Sequence, residues 1–173
     1  MASVGFIGLG NMGGPMAANL VKTGFAVKAF DLGEAACARA RERGCTIVPS
    51  VAEAASDVDV VVSMLPAGTH VRAVYTGPEG VLAHARPGTL MIDCSTIDVD
   101  SARVVAKACE DAGMAMIDAP VSGGVGGAEA GTLTFMVGGP DASVEAAQAC
   151  LQAMGKTIVH AGGAGKGAGG LCG

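Results

Sequence analysis

The sequence has no Trp, a single Tyr and only four Phe. Without such stacking platforms it is a poor match to single-stranded nucleic acid. It also lacks a basic excess, since 11 Lys and Arg stand against 16 Asp and Glu, a net charge of −5. That balance argues against nucleic-acid partners and offers no basic face to an anionic membrane. Charged residues make up 16% of the chain and hydrophobic ones 50%, too little charge for a charge-rich disordered tail. The mean hydropathy is +0.48, yet no stretch of about 18 apolar residues runs free of charges or Gly and Pro breaks. A membrane-spanning helix is therefore not expected. None of Cys37, Cys45, Cys94, Cys109, Cys150 and Cys172 sits in a CxxC pair or near a His at zinc spacing, so no metal site is expected. Free thiols in a reducing compartment are the simpler reading. Met1-Ala2-Ser3-Val4 runs straight into an apolar strand, with neither a basic n-region nor an Arg- and Ser-rich transit segment. The chain reads as cytosolic, or as a mature product whose presequence is absent.

What is present is alternation. The 173 residues suit one domain with a real core. Short β-branched runs lie between Ala-rich amphipathic stretches. Strands are expected at Val4–Ile7, Ala26–Phe30, Thr46–Val48, Asp59–Met64, Thr89–Asp93, Met114–Asp118, Thr132–Val137 and Thr157–Val159. Helices are expected at Asn11–Lys22, stopped by Gly24, and at Glu34–Arg43, closed by Gly44. Further helices are expected at Asp98–Ala112, with Asp98 as N-cap and Gly113 past the end, and at Asp141–Met154. Repeated strand–helix–strand units predict an α/β fold of the Rossmann type: a doubly wound, mainly parallel sheet with helices on both faces. Six parallel strands come first, and a C-terminal strand–helix–strand unit extends them. The stretch from Gly162 to Gly173 has almost no side chains to pack and reads as a flexible tail.

Gly8-Leu9-Gly10-Asn11-Met12-Gly13 fits G-x-G-x-x-G. In a chain with 28 Gly the hexad alone is weak, but here a strand precedes it and an amphipathic helix follows. Gly8 would make the tight turn, Gly10 would let backbone approach a pyrophosphate, and Gly13 would let helix and strand pack closely. The helix N-terminus adds unpaired N–H groups and partial positive charge. Asp31 ends the second strand, near the usual offset of about 20 residues past such a turn. There a carboxylate accepts hydrogen bonds from ribose hydroxyls and repels a 2′-phosphate. No Arg follows it at once; Arg39 is eight residues on. NAD is thus expected over NADP. The alternative is that Asp31 merely caps the helix starting near Glu34.

Four longer motifs resemble the β-hydroxyacid dehydrogenase family, in particular its 3-hydroxyisobutyrate dehydrogenases. They are Gly5-Phe6-Ile7-Gly8-Leu9-Gly10-Asn11-Met12-Gly13 with Pro15-Met16-Ala17 and Asn19-Leu20, then Met64-Leu65-Pro66, then Ile92-Asp93-Cys94-Ser95-Thr96-Ile97-Asp98, and lastly Asp118-Ala119-Pro120-Val121-Ser122-Gly123-Gly124 running on to Gly131–Gly139. The resemblance covers about Val4 to Gly167. It implies an NAD-dependent oxidoreductase of branched-chain amino acid catabolism, oxidising 3-hydroxyisobutyrate to methylmalonate semialdehyde. Leu9, Asn11 and Met12 would join the three glycines in holding the cofactor. Leu65 and Pro66 would line it, His70 would add a contact, and Thr96 would meet the nicotinamide side. Ser122, Gly123 and Gly124 would hold the substrate carboxylate. From the residues alone, a Pro-Val-Ser-Gly-Gly turn past a strand end either aims donors at an anion or is an ordinary Gly-rich turn.

In the resembled family a Lys follows a Gly-x-x-Gly-x-Gly stretch as general acid/base, and an Asn four residues later helps fix the substrate. Gly162-Gly163-Ala164-Gly165-Lys166-Gly167 fits the lead-in, but the Lys position is occupied by Leu171. No residue of this chain is assigned the catalytic role, and Lys166 reads as a solvated loop Lys. Residues 1–160 are expected to form the NAD-binding domain, 161–173 a Gly-rich truncated or altered end, with the all-α second domain of the resembled enzymes absent. Little turnover is expected from such a chain alone. Two other readings stand beside this one: a non-catalytic NAD-binding module, and a reductase of another small semialdehyde such as tartronate semialdehyde. The expected partner is a small hydroxyacid, with self-association into a homo-oligomer through uncovered apolar surface. The resemblance implies a cytoplasmic location in a bacterium and a mitochondrial one in a eukaryote. Other chemistries fail: His70, His84 and His160 are scattered, Ser122 lacks a G-x-S-x-G elbow because position 120 is Pro, and neither Lys156 nor Lys166 sits in a P-loop.

Overall fold

The computed structural model describes residues 2–162. The stretch beyond, with Lys166 and Leu171 and most of the expected tail, lies outside the described residues. The chain begins β1 (Ser3–Ile7), α1 (Gly13–Thr23), β2 (Ala26–Phe30), α2 (Glu34–Glu42) and β3 (Thr46–Ile47). It continues α3 (Val51–Ala55), β4 (Val60–Ser63), α4 (Gly68–Thr76), α5 (Val81–His84), β5 (Leu90–Asp93) and α6 (Val99–Asp111). It closes with β6 (Ala115–Asp118), β7 (Val121–Ser122), α7 (Gly124–Ala130), β8 (Leu133–Gly138), α8 (Asp141–Met154) and β9 (Gly155–Gly162).

Local chemistry sets the helix ends. Helix α1 stops at Gly24, whose φ of 108° suits glycine, and whose N–H returns to the carbonyls of Leu20 and Val21. Helix α6 starts at Asp98, whose Oδ2 accepts the Ser101 N–H at 2.9 Å.

Strands β3-β2-β1-β4-β5-β6 lie in that order and all pair in parallel. This is the doubly wound arrangement expected from the alternation. Strands β6 and β7 act as one interrupted strand antiparallel to β8, through Asp118↔Gly138, Val121↔Phe135 and Ser122↔Thr134. The break falls at Ala119-Pro120. Pro120 has no N–H to give, but its carbonyl takes the Met136 N–H at 3.1 Å. Strands β8 and β9 pair in parallel across α8, which is the expected extension unit.

Side-chain alternation divides the core between the two faces of the sheet. Val4, Phe6, Val60, Val62 and Ile92 pack with α1 and α8 through Met16, Leu20, Ala147 and Leu151. Ile7, Val61 and Met91 pack on the other face with Ala54, Val71, Tyr75 and Val105 of α3, α4 and α6. Truncating a large, fully buried side chain of this set, such as Leu20 or Met91, to Ala costs about 2–5 kcal/mol.

Three differences from the sequence reading matter. Residues 124–130, for which no element was expected beyond a turn ending at Gly124, form α7, whose Ala128 carbonyl accepts from the buried Asn19 amide at 2.7 Å. The last strand runs from Gly155 to Gly162, so the first residue assigned to the tail lies in the sheet, opposite Gly138. Helices α3, α4 and α5 were not expected. No helix of the described residues is long and apolar enough to cross a membrane.

Candidate dinucleotide site

Strand order reverses between β1 and β4, and the crevice at such a reversal is where open α/β sheets bind ligands. The hydrogen-bond ladder runs one residue past the strands along this edge. Gly8 N–H donates to Phe30 O at 3.0 Å, Met64 N–H to Ile7 O at 2.9 Å, Cys94 N–H to Ser63 O at 2.8 Å, and Ala119 N–H to Asp93 O at 2.7 Å. The loops carrying Gly8–Gly13, Asp31, Leu65-Pro66 and Ser95-Thr96 therefore leave the sheet from one continuous edge.

The three glycines of the hexad occupy different surroundings. Gly8 has φ 102°, and a Cβ on it would overlap the Met64 carbonyl. A Cβ on Gly13 would overlap the Gly8 carbonyl and come within 3.3 Å of the Phe6 ring. At Gly10 a Cβ would meet nothing within 4 Å, so this bare backbone faces open space. Helix α1, 11 residues long, reaches back into this turn, its Gly14 N–H donating to Gly10 O at 3.0 Å, so the N–H groups of the turn itself stand at a helix N-terminus. A turn closed on two sides and open on the third suits close approach of a diphosphate.

Asp31 ties that turn to β2. Its Oδ2 accepts the Leu9 N–H at 2.7 Å and its Oδ1 accepts the Gly33 N–H at 2.7 Å. It does not cap α2, whose N-cap is Gly33 with no side-chain cap. A carboxylate oxygen accepts more than one hydrogen bond, so both keep acceptor capacity. The next residue, Leu32, is 92% exposed. A recess of about 170 Å³ beside the turn is walled by Leu9, Gly10, Asn11, Arg39 and Arg43, which brings Arg39 closer to the turn than its sequence offset suggests.

Leu65 is half-buried, while Pro66, His70 and Thr96 are exposed. His70 lies in the first turn of α4. Ser122 is exposed in β7, opposite Thr134, and Gly123 and Gly124 follow with φ of 131° and 66°. The Pro-Val-Ser-Gly-Gly segment is thus a strand end leading into a short helix, with Ser122 and both glycines on the surface. His84 pairs with Glu79, and His160 in β9 with Gly139 and Asp141. Among the described residues no group of His, Cys, Asp and Glu could hold a metal, and Cys37, Cys45, Cys94, Cys109 and Cys150 are free thiols.

Asp93, to which the sequence reading gave no role, is the most unusual group at this edge. It is 1% exposed at the end of β5. Its Oδ1 accepts from Ser63 Oγ at 2.8 Å, Ser95 Oγ at 2.6 Å and Ser95 N–H at 3.2 Å. Burial pushes the carboxyl up to about 6 despite these hydrogen bonds, and the Asp118 carboxylate, aligned with it on β6, adds to the rise. The sequence held one hint, a carboxylate closing an apolar run with Ser95 two residues on, while the Ser63 partner meets Asp93 only when β4 and β5 pair.

A parallel sheet with this strand order and a glycine turn at its reversal defines a dinucleotide-binding domain. Residues 3–163 match the family described as the NAD binding domain of 6-phosphogluconate dehydrogenase, and the chain belongs to that family. It is 52% identical over 165 residues to a probable mitochondrial 3-hydroxyisobutyrate dehydrogenase of Dictyostelium discoideum, covering 95% of this chain and 51% of that protein. It is 49% identical over 162 residues to an NAD-dependent L-serine dehydrogenase of Pseudomonas aeruginosa, covering 94% of this chain and 54% of that one. The structure of Mycobacterium tuberculosis 3-hydroxyisobutyrate dehydrogenase with L-serine superposes with a TM-score of 0.96 at 48% identity, covering 99% of this chain and 58% of that one. The chain spans about half the length of the curated relatives it matches.

Proposed function

We propose that this chain forms the NAD-binding half of a dehydrogenase acting on small hydroxyacids, with 3-hydroxyisobutyrate as substrate and methylmalonate semialdehyde as product. The observation that carries the reading is the turn at Gly8–Gly13, sterically closed at Gly8 and Gly13, open at Gly10, and joined to the Asp31 carboxylate through Leu9. Backbone N–H groups of Gly10 to Gly13 hold the diphosphate. Leu9, Asn11 and Met12 shape the turn around it. Asp31 accepts from the adenosine ribose hydroxyls and disfavours a 2′-phosphate, so NAD is preferred over NADP. Leu65, Pro66, His70 and Thr96 border the rest of the dinucleotide. Bound there, NAD supplies the acceptor for a hydride from the primary alcohol carbon. Ser122, Gly123 and Gly124 hold the substrate carboxylate. The identities near 50% to 3-hydroxyisobutyrate dehydrogenases support the substrate assignment.

Calorimetric titration with NADH and NADPH, followed by NADH absorbance with 3-hydroxyisobutyrate, L-serine or tartronate semialdehyde, tests the reading. Sub-millimolar NADH binding that exceeds NADPH binding supports the site. Tighter NADPH binding would transfer the preference to Arg39. No heat with either removes the proposal. Binding without turnover on any substrate favours a non-catalytic NAD-binding module.

A further inference from the structure

Two hydrogen-bonded arms converge on the single oxygen Asp93 Oδ1. In one, the Tyr75 hydroxyl lies 2.7 Å from Ser63 Oγ, which lies 2.8 Å from Asp93. In the other, the Leu65 N–H donates to Ser95 Oγ at 2.8 Å, and Ser95 Oγ donates to Asp93 at 2.6 Å. Each serine has one hydroxyl proton and gives it to the carboxylate, so Tyr75 and Leu65 must be the outer donors. Every proton along both arms points toward Asp93. Ser63 and Tyr75 are 0% exposed, Asp93 1% and Ser95 2%, so water does not compete for these contacts.

The arms end in different places. The Tyr75 arm ends inside the core, where the ring packs among Val71, Val81 and Met91. The Ser95 arm surfaces at Leu65, next to exposed Pro66, while Thr96 beside Ser95 is exposed as well. One serine thus joins the two loops that leave β4 and β5. A buried carboxylate opposed by its surroundings is poor material for a strand end on stability grounds alone, and such violations of local rules gather at working sites.

We propose that Ser95 is a positioning residue for the dinucleotide, its hydroxyl oriented by Asp93 and fixing the Leu65 amide, so that the Leu65-Pro66 wall is set before the ligand arrives. This rests on the reading of Leu65 and Pro66 as cofactor contacts. The gain is preorganisation: a wall already held in place need not be ordered on binding. The Tyr75 arm anchors α4 to the same carboxylate and contributes to stability without touching that wall.

The two arms supply the test. Urea midpoints and calorimetric NADH dissociation constants are measured on the full chain for wild type, Ser95→Ala, Ser95→Thr and Tyr75→Phe. Ser95→Ala removes two buried hydrogen bonds and Tyr75→Phe removes one, and each lowers the midpoint. Only Ser95→Ala weakens NADH binding, by about tenfold, the worth of one such bond. Ser95→Thr keeps the hydroxyl and restores affinity to within about threefold of wild type. Equal affinity for Ser95→Ala and wild type overturns the inference, as does an equal loss in Tyr75→Phe. A wild-type chain that binds no NADH overturns the underlying reading and this inference with it, a different result from a binding wild type with an unaffected variant. Should Ser95→Ala not fold, hydrogen exchange at the Leu65 amide of the NADH-free wild type decides: slow exchange supports a wall already set, and fast exchange overturns it.

Discussion

Asp59 precedes β4 and Asp93 ends the neighbouring β5, so two carboxylates mark opposite edges of one sheet. Asp59 is exposed. It accepts from the Ser3 N–H at 3.0 Å and from Arg86 at 2.6 Å, and these donors hold its carboxyl below the usual range, the Ser3 amide most of all. Arg86 also pairs with Asp57 at 2.8 Å. Among the described residues Asp93 has no cation beside it; two hydroxyls and one amide donate to it, the Asp118 carboxylate stands on the next strand, and burial raises it to about 6. The same side chain is thus an ordinary surface brace at one edge and a group in opposition to its surroundings at the other. Water and a guanidinium favour charge; an apolar interior does not. The edge that carries the glycine turn is the edge that tolerates the opposition.

Substitutions at the two edges can break this contrast. The largest effect is expected from Gly13→Ala, whose Cβ would overlap the Gly8 carbonyl. It should lower stability by about 3 kcal/mol or more and abolish NADH binding. Gly88→Ala at the opposite edge meets nothing within 4 Å, although φ is 89°. There only the left-handed backbone is strained, at about 1 kcal/mol, with NADH affinity unchanged. Urea unfolding and calorimetry on both variants read the difference, and a mild Gly13→Ala would sink the steric account of the turn.

Asp93 comes next, through pH. Its folded-state value lies above the unfolded one, so between about pH 4 and 6 the folded protein keeps a proton that the unfolded chain has lost. The contribution of this group to stability is greatest below that window and declines as pH rises through it, by on the order of 3 kcal/mol. Asp59 has the opposite sign: its contribution is present above the unfolded value and is lost as pH falls through the depressed one. Urea-derived stabilities at pH 4.5 and 7 should therefore differ between wild type and Asp93→Asn, with the variant missing the decline toward neutral pH. Parallel curves for the two proteins would contradict the buried-carboxylate account.

Asp31→Ala should follow, weakening NADH binding by about 10- to 100-fold, since it removes an acceptor and frees the Leu9 amide. Arg86→Ala should matter least. Its ion pairs are exposed, so the melting temperature should fall by under about 2 °C, an effect erased by 1 M salt.

Much of the fold was legible because its signals are local. Val60–Val62 and Leu90–Ile92 are uninterrupted apolar runs, and a parallel strand covered on both faces needs that pattern. Helix α6 announces itself by the Asp98 cap and an apolar stripe. Helix α4, Gly68–Thr76, carries glycine, threonines and two valines, a composition with little helical preference of its own. Its helicity depends on burying Val71 and Tyr75, and on a glycine at 68 beside Ser101 and Asp98 of the neighbouring helix start. Helix α7 contains three glycines in seven residues and passes for a turn. At the site, the glycine hexad and Asp31 were legible from spacing. The Asp31–Leu9 contact and the approach of Arg39 to the turn were not, because they join segments that meet only when β1, β2 and α2 have packed.

By itself the sequence determined the alternation of strands and helices, the glycine turn between β1 and α1, and the acid at the tip of β2, since each depends on residues adjacent along the chain. Only the tertiary structure decided which of several carboxylates would lose its water. Tyr75, Ser63, Ser95 and Asp93 lie on different elements, and desolvation is a property of the packed interior rather than of any segment within it.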